Sequence, residues 1–462
     1  MPRFLLSVLV LTHAMRTSFC SWTVAAALTT ACLGVVSAAA PAKAPSGDRA
    51  QSWHVRLPRS QLLAAWTRMQ ALPIPGLPLD MRFNIAGQAY YVSPTGDDGA
   101  EGSRQAPWRT LQHAVSQQRP NTVIYLDKGT YFGPVVVPTQ AAAETPAAIR
   151  AVEGQEVIVT YPDEFVAAEK AKVHTAPTEG RDRALDEKGQ SLHYPPLIDV
   201  RGTFIEISGL HLIGVRDRLP HNLYSENGVS FSGKGGEGCR VLNCEIENVG
   251  HCGVKEMGHG GHSILIAGNL IHDVGQTFHD HGIYAPADDI TVRKNLLLNA
   301  TGWGLHAYST PRRIVATHNL VAGNDHHGII LGGPDALVAH NVFGSNRQGG
   351  LFFFRSGCTG AIVKNNLFYD DPAVDFDQMG DAKQAPSGNA FDHNCLVPGA
   401  KLGKLSPQDT VGSHNLQLNP LVIDARSFDF RVGRRSPCID AGADIGLKFQ
   451  GKAPDIGLSE VR

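Results

Sequence analysis

Between positions 243 and 394 an asparagine is followed by an apolar run seven times: Asn243 (NCEI), Asn269 (NLI), Asn295 (NLLL), Asn319 (NLV), Asn341 (NVF), Asn366 (NLF) and Asn394 (NCLV). The intervals are 26, 26, 24, 22, 25 and 28 residues. A second marker, glycine before an aliphatic residue, keeps the same period at Gly253-Val254, Gly282-Ile283, Gly304-Leu305, Gly328-Ile329 and Gly350-Leu351. Two markers sharing one period define a repeat array. Inside each repeat the apolar residues form short alternating runs, such as Ile264-Leu265-Ile266 and Ile314-Val315-Ala316. That pattern suits strands, and no repeat sustains a helical period. The turns are rich in Asn and Gly, which tolerate left-handed backbone. Stacked Asn amides can also hydrogen-bond from coil to coil. Leucine-rich repeats would show L-x-x-L-x-L, and propeller blades are longer, roughly 40 residues. The pattern therefore predicts an all-β solenoid of short parallel strands, a β-helix, with coils about 4.8 Å apart.

The flanks read differently. Pro107–Val115 predicts a short amphipathic helix that caps the N-terminal end of the solenoid, whose exposed edge needs cover. Residues 40–86 are Pro- and Ala-rich and read as a linker or capping extension, with a possible helix from Ser60 to Met69. A charged stretch at about 163–195 reads as a long loop that leaves one coil and returns. The solenoid is assigned to 87–445 and a C-terminal tail to 446–462. Residues 1–39 read as a signal peptide: Arg16, an apolar run from Trp22 to Val36, then small residues. The expected location is secreted or periplasmic, with no membrane span once the leader is removed.

Composition changes this picture little. The chain has 462 residues, 41 basic and 43 acidic, and a formal charge of −2. That balance argues against nucleic acid as a partner and against a polybasic membrane anchor. A monomer is expected. Beyond the leader lie six cysteines, Cys239, Cys244, Cys252, Cys358, Cys395 and Cys438, in no zinc-binding spacing. They read as buried thiols packed as small hydrophobes.

Two further stretches carry a resemblance. Tyr90-Tyr91-Val92-Ser93-Pro94-Thr95-Gly96-Asp97-Asp98-Gly99, Ala106-Pro107-Trp108-Arg109-Thr110-Leu111 and Ile124–Tyr131 resemble the opening of bacterial proteins of the pectate-lyase-like, right-handed parallel β-helix superfamily. Phe428–Val432, Ser436–Gly442 and Asp455-Ile456-Gly457 resemble their usual end. The resemblance covers roughly 88–457. It implies a right-handed coil and, as activity, a polysaccharide lyase, hydrolase or epimerase, with pure binders also among its members. A fold of this kind does not fix the activity.

Eleven of the 20 histidines lie between 251 and 340, and this band is the predicted site. If Ile283, Leu305 and Ile329 point inward, their neighbours point outward. Lys255, Tyr284, His306 and Ile330 then form one outward column on consecutive coils. The densest polar knot is Thr277–Tyr284, where His279-Asp280-His281 offers an oriented base. It partly resembles the Asp-Pro-His-Asp motif of mannuronan C5-epimerases, with Thr277-Phe278 in place of Asp-Pro. The candidate catalytic residues are His279, Asp280, His281, Tyr284, His306 and Lys255. Arg355, His327, Trp303 and Tyr308 are candidate substrate-binding residues. The alternative for His281, Trp303 and His327, which all precede the glycine marker, is a structural ring stack. No residue is assigned as a metal ligand. Ca²⁺ is a possible cofactor through Asp288-Asp289, as in some pectate lyases, against the plainer reading of a solvated acidic pair. Met257–Ile264 resembles the Gly-His-Gly of polygalacturonases, but the Asn-Thr-Asp and Asp-Asp of that family are missing, which disfavours hydrolysis by paired carboxylates.

Lys, Arg, His and Tyr suit β-elimination on a uronate-containing polysaccharide. Such a reaction needs a cation on the carboxylate, a base for the C5 proton and an acid for O4. The expected roles are His306 or His279 as base, Tyr284 as acid, and Lys255 or Arg355 on the carboxylate. C5-epimerisation shares the first step, and glycoside hydrolysis ranks third. The other class is a non-catalytic glycan binder or export scaffold, for which Phe352, Phe354, Trp303 and Tyr308 would supply stacking rings.

Overall fold

A computed structural model describes residues 54–462 apart from 79, 175–185, 191, 193, 219–225, 234, 259, 355–356, 370–373, 377–386, 401, 404–405 and 462. The leader, the segment 40–53 and Arg355 thus lie outside the described residues. The described chain winds into a right-handed parallel β-helix. Each central coil gives one short strand to each of three parallel sheets. The first sheet runs from Gln88–Val92 to Thr410–Val411 and has 12 described strands. The second runs from Val135–Val137 to Val374–Phe376, and the third from Gly129–Phe132 to Leu416–Gln417. Side chains alternate in and out along each strand. The inward set, including Val241, Ile246, Val254, Ile283, Leu305 and Ile329, fills one continuous core.

The asparagine marker is a hydrogen-bond ladder. Oδ1 of each asparagine accepts the backbone N–H of the residue one coil earlier, through Asn269, Asn295, Asn319, Asn341, Asn366, Asn394 and Asn415. Two details differ from the sequence reading. Asn243 lies one residue before the ladder, whose place in that coil is held by Cys244. The left-handed residue is the one before the ladder asparagine in six of the seven coils: Gly268, Lys294, His318, His340, Asn365 and His393 all have φ between 53° and 69°. The ladder asparagine itself is chosen for its buried amide, not for backbone tolerance.

Asn319 shows what a rung does. Its Nδ2 donates to Val292 O and to Asn341 Oδ1, each at 2.9 Å, and its Oδ1 accepts from Asn295 N and Nδ2, each at 3.0 Å. Asn319→Ala would leave buried donors on Asn295 without partners. At roughly 1–3 kcal/mol for each stranded group, a loss of about 3 kcal/mol is expected. A urea unfolding midpoint that barely moves would refute this.

The outer face of the third sheet is apolar. Leu270, Leu296, Leu320, Val342, Leu367 and Cys395 are register neighbours along it. Helix α1 (Arg59–Ala71) covers this column with Leu62, Ala65 and Met69, together with Phe430, Ile456 and Leu458 from the C-terminal stretch. Trp66 Nε1 donates to Gly268 O at 2.6 Å, and Lys294 Nζ donates to Gln70 O and Leu72 O at 2.7 and 2.6 Å. The described part of the N-terminal extension is therefore packed onto the coil, and Ile456, Leu458 and Val461 of the C-terminal tail share that second core.

Helix α2 (Leu111–Gln117) lies where a capping helix was predicted, but starts later. Asp98 holds the backbone of Arg109 and Thr110 in a loop, and Thr110 then caps the helix. The charged stretch is not a plain loop. It opens with α3 (Asp163–Ala171), which has acids in its first turn and buries Val166. Its Ala, Glu and Lys content favours a helix, with the charges left on the outer turns. All six cysteines beyond the leader are free and buried, as expected.

Candidate functional site

The outward column of the second sheet is the predicted one. Cα pairing runs Val136, Asp199, Ser230, Lys255, Tyr284, His306, Ile330 and Phe352 through consecutive coils. Lys255, Tyr284 and His306 are half-buried, whereas Ile330 is buried. The Lys255 ammonium lies 5.5 Å from the Tyr284 ring centroid, and Tyr284 meets the edge of His306 at 5.2 Å.

Behind this column stands His281, 2% exposed. Its Nε2 lies 2.6 Å from His306 Nδ1, and its Nδ1 accepts the Trp303 backbone N–H at 3.4 Å. These contacts fix the tautomers by the usual logic of a hydrogen-bond chain. His281 Nδ1 is the acceptor, so Nε2 carries the proton and gives it to His306 Nδ1. His306 then carries its own proton on Nε2, a nitrogen with no partner among the described residues. Burial holds the His281 imidazolium well below its usual range, and His306 adds to the effect. Burial first, then His279 and His326, push His306 down to about 3. Both rings are neutral at pH 7, and His306 presents a donor. Of the two imidazoles expected as base, His306 or His279, these contacts favour His279 and make His306 a donor.

The other candidates divide. His279 is exposed on the rim and close enough to act on the pKa values of His251, His281 and His306. Asp280 is buried and turned into its own loop, where Oδ2 accepts Gln276 N at 2.8 Å and Thr277 N at 2.6 Å. Burial raises its carboxyl to about 6. Asp280 therefore shapes the knot from beneath, with Oδ1 3.6 Å from the buried His251 Nε2.

Trp303 stacks on His306 at 4.7 Å and on His326 at 4.5 Å. Tyr308 stacks on the far side of His306 at 5.3 Å and meets Phe354 edge-on at 5.1 Å. Together they form a ring-lined strip beside the cation and the imidazole. The single stack expected for His281, Trp303 and His327 is only partial. His281 meets Trp303 edge-on, while His327 is buried against Phe352 at 4.8 Å. Neither ring nitrogen of His327 has a hydrogen-bond partner among the described residues. The Asp288-Asp289 pair faces a cation already in the chain: Arg313 donates to both Asp289 oxygens at 2.6 and 2.7 Å, and Arg312 N donates to Asp288. That placement argues against Ca²⁺ there.

The sequence reading stopped the column too early. Ser230 and Asp199 continue it, with Ser230 buried and its Oγ without a partner among the described residues. Asp199 accepts from Arg201 Nε at 2.7 Å and Ser232 Oγ at 2.5 Å. Gly228-Val229 has the glycine–aliphatic form of the marker and would have revealed Ser230.

A three-sheet parallel coil with an asparagine ladder and an outward polar column has the pectate-lyase-like right-handed parallel β-helix fold. Residues 227–395 match the family model for a right handed beta helix region, and residues 94–138 match a family described as a protein of unknown function. The chain is 39% identical over 71 residues to Pectate lyase PEL9 of Emericella nidulans, 15% of this chain and 17% of that one. It is 32% identical over 75 residues to the Uncharacterized protein YwoF of Bacillus subtilis, 16% of each. The matched segments thus span about a sixth of these curated relatives. The crystal structure of pectate lyase Pel9A superposes with a TM-score of 0.52 at 14% identity, covering 81% of this chain and 97% of that one. Among the described residues no helix is long and apolar enough to cross a membrane.

Proposed function

We propose that this protein is an exported carbohydrate-active enzyme that binds a uronate-containing polysaccharide along the ring-lined strip and cleaves it by β-elimination. The observation that carries the reading is the register of Lys255, Tyr284 and His306 on consecutive coils beside aromatic rings. The local identity to a pectate lyase supports it. Lys255 neutralises the uronate carboxylate, and the His306 Nε2–H donates a hydrogen bond to the same group as charge builds on it. His279 on the rim takes the C5 proton. The C4–O4 bond then breaks, C4=C5 forms, and Tyr284 gives its proton to the departing O4. Two neutral imidazoles pack beside a lysine without charge repulsion, so the strip holds a single positive charge for the carboxylate.

The test is a substrate panel. The protein is incubated with alginate, polygalacturonate, glycosaminoglycans and neutral glycans, with and without Ca²⁺, and ultraviolet absorbance of the unsaturated uronyl end is followed. A rise on one acidic polymer is expected. Solvent deuterium entering C5 without cleavage would replace the reading by epimerisation. Binding with neither signal would leave a glycan binder. Export is tested by N-terminal sequencing of the protein recovered outside the cytoplasm.

A further inference from the structure

The last coils carry a second cluster of chemistry, on the corner between the first and third sheets. Asp392 ends the strand Ala390–Asp392, His393 follows in left-handed backbone, and His414 stands one coil on. Asp392 Oδ2 lies 3.0 Å from Nδ1 of His393 and 3.0 Å from Nδ1 of His414. The two rings stack at 4.4 Å, and the three donor atoms all lie within 4.8 Å of one another.

Three further features single out this cluster. The His414 backbone N–H donates to Asp392 Oδ1 at 3.0 Å, which fixes the carboxylate and leaves Oδ2 between the rings. A Cβ at Gly412 would stand 2.0 Å from Asp392 Cγ, so glycine is what lets the carboxylate seat there. His393 Nδ1 is buried and close to Oδ2, yet it has no hydrogen-bond partner among the described residues. An N–H on that nitrogen would be stranded, whereas a lone pair turned to a shared cation would not.

We propose that Asp392, His393 and His414 form a binding site for a divalent transition ion of the zinc type. Bonds of about 2.0 Å in a tetrahedron place ligand atoms about 3.3 Å apart, close to the spacing here. Two imidazoles and one carboxylate suit Zn²⁺ or Co²⁺, whereas Ca²⁺ and Mg²⁺ want all-oxygen shells. His414 is largely exposed, which gives an ion an entry path and leaves a fourth position for water. The second cluster of this kind, His211, Glu245 and Glu247, differs, because Arg59 already sits on Glu245 at 2.5 Å. The ion at Asp392 would tie one late coil to the next, far along the solenoid from His306, and the inference stands apart from the proposed activity.

The experiment uses metal-stripped, untagged full chain, titrated calorimetrically with Zn²⁺ and spectroscopically with Co²⁺. One equivalent is expected to bind and to raise the thermal midpoint, as any ligand of the native state does. Ca²⁺ and Mg²⁺ should leave the midpoint unchanged. His414→Ala, an exposed position, should keep the metal-free midpoint and weaken Zn²⁺ binding by about 100-fold. Asp392→Asn should weaken it similarly. The absence of stoichiometric binding, or binding unchanged in His414→Ala and Asp392→Asn, would overturn the site.

Discussion

Acidification from pH 6 to pH 5 is expected to cost the fold about 5 kcal/mol. Burial holds seven histidines below their usual pKa, and the six most deeply buried, His251, His281, His306, His318, His327 and His340, carry most of the effect, with His326 the seventh. Where values are resolved they fall to about 3 for His306 and His327 and about 4 for His340. The unfolded chain protonates all six as pH falls through about 6.5, while the native chain does not. Their contribution is therefore fully present above that value and is lost on acidification, down to about pH 4 for His340 and about pH 3 for His306 and His327. Carboxyls raised by burial oppose this, Glu226 and Asp280 most strongly, with Asp409, Asp455 and Glu460 in the same direction. Glu226 and Asp280 are raised to about 7 and about 6, so the native state takes up their protons first. The six deepest imidazoles against the two most raised carboxyls leave a net of about four protons, at 1.36 kcal/mol per proton per pH unit. His272 does not offset the loss. Although buried, it is raised to about 9 by its bonds to Asp273 and Glu245, so its contribution is complete below pH 6.5 and fades only toward pH 9. Urea unfolding at pH 7.5, 6 and 5 reads the slope, and His327→Phe should flatten it by about one proton. A midpoint constant across that range would show that the buried histidines are hydrated and charged in the native state.

The coil was legible in the sequence because its period is enforced by buried amides. Each ladder asparagine satisfies backbone groups of neighbouring coils, so the spacing of asparagines reports the length of a turn. Asn243 misled because Cys244 holds the ladder place without an amide, through its backbone N–H to Asn269 Oδ1 and its thiol to Ile207 O and Leu242 O. Helix α1 was harder to place. Its apolar residues satisfy a column of leucines some 200 residues away, and no local pattern announces that the outer face of the third sheet is apolar as well. A run such as Leu296-Leu297-Leu298, with every position buried, was the available sign that both faces of that strand are covered.

The site was legible where alternation alone decides it. Lys255, Tyr284 and His306 share a face because each follows an inward aliphatic residue by one position. Chemical role is another matter, since it depends on contacts between coils. The sequence offers Asp280 as a general acid or base, whereas its contacts put Oδ2 on the backbone N–H of Gln276 and Thr277 and Oδ1 3.6 Å from His251 Nε2. The tautomer of His306 is set by a main-chain N–H of Trp303 acting through His281, and side-chain spacing in a sequence does not encode that link.

That link yields the second large effect. His306→Ala is expected to lower kcat by about 10²–10⁴-fold on the polymer that the panel identifies, with a smaller change in KM, because the Nε2–H strengthens its bond as negative charge develops. The conservative variant discriminates between roles. Glutamine places an amide N–H near the same point but has no basic nitrogen. If His306 is the donor that its contacts indicate, His306→Gln should retain activity within about tenfold of the native protein, well above His306→Ala. If His306 is the base, both variants should fall together, and the tautomer assignment would be wrong. His279→Ala supplies the complementary reading: with the rim imidazole as base it should lose as much as His306→Ala, and no hydrogen-bonding substitute should restore it. A variant with His279 removed and turnover intact would return the base to the Lys255–Tyr284 side of the column, where the Lys255 ammonium lies over the tyrosine ring.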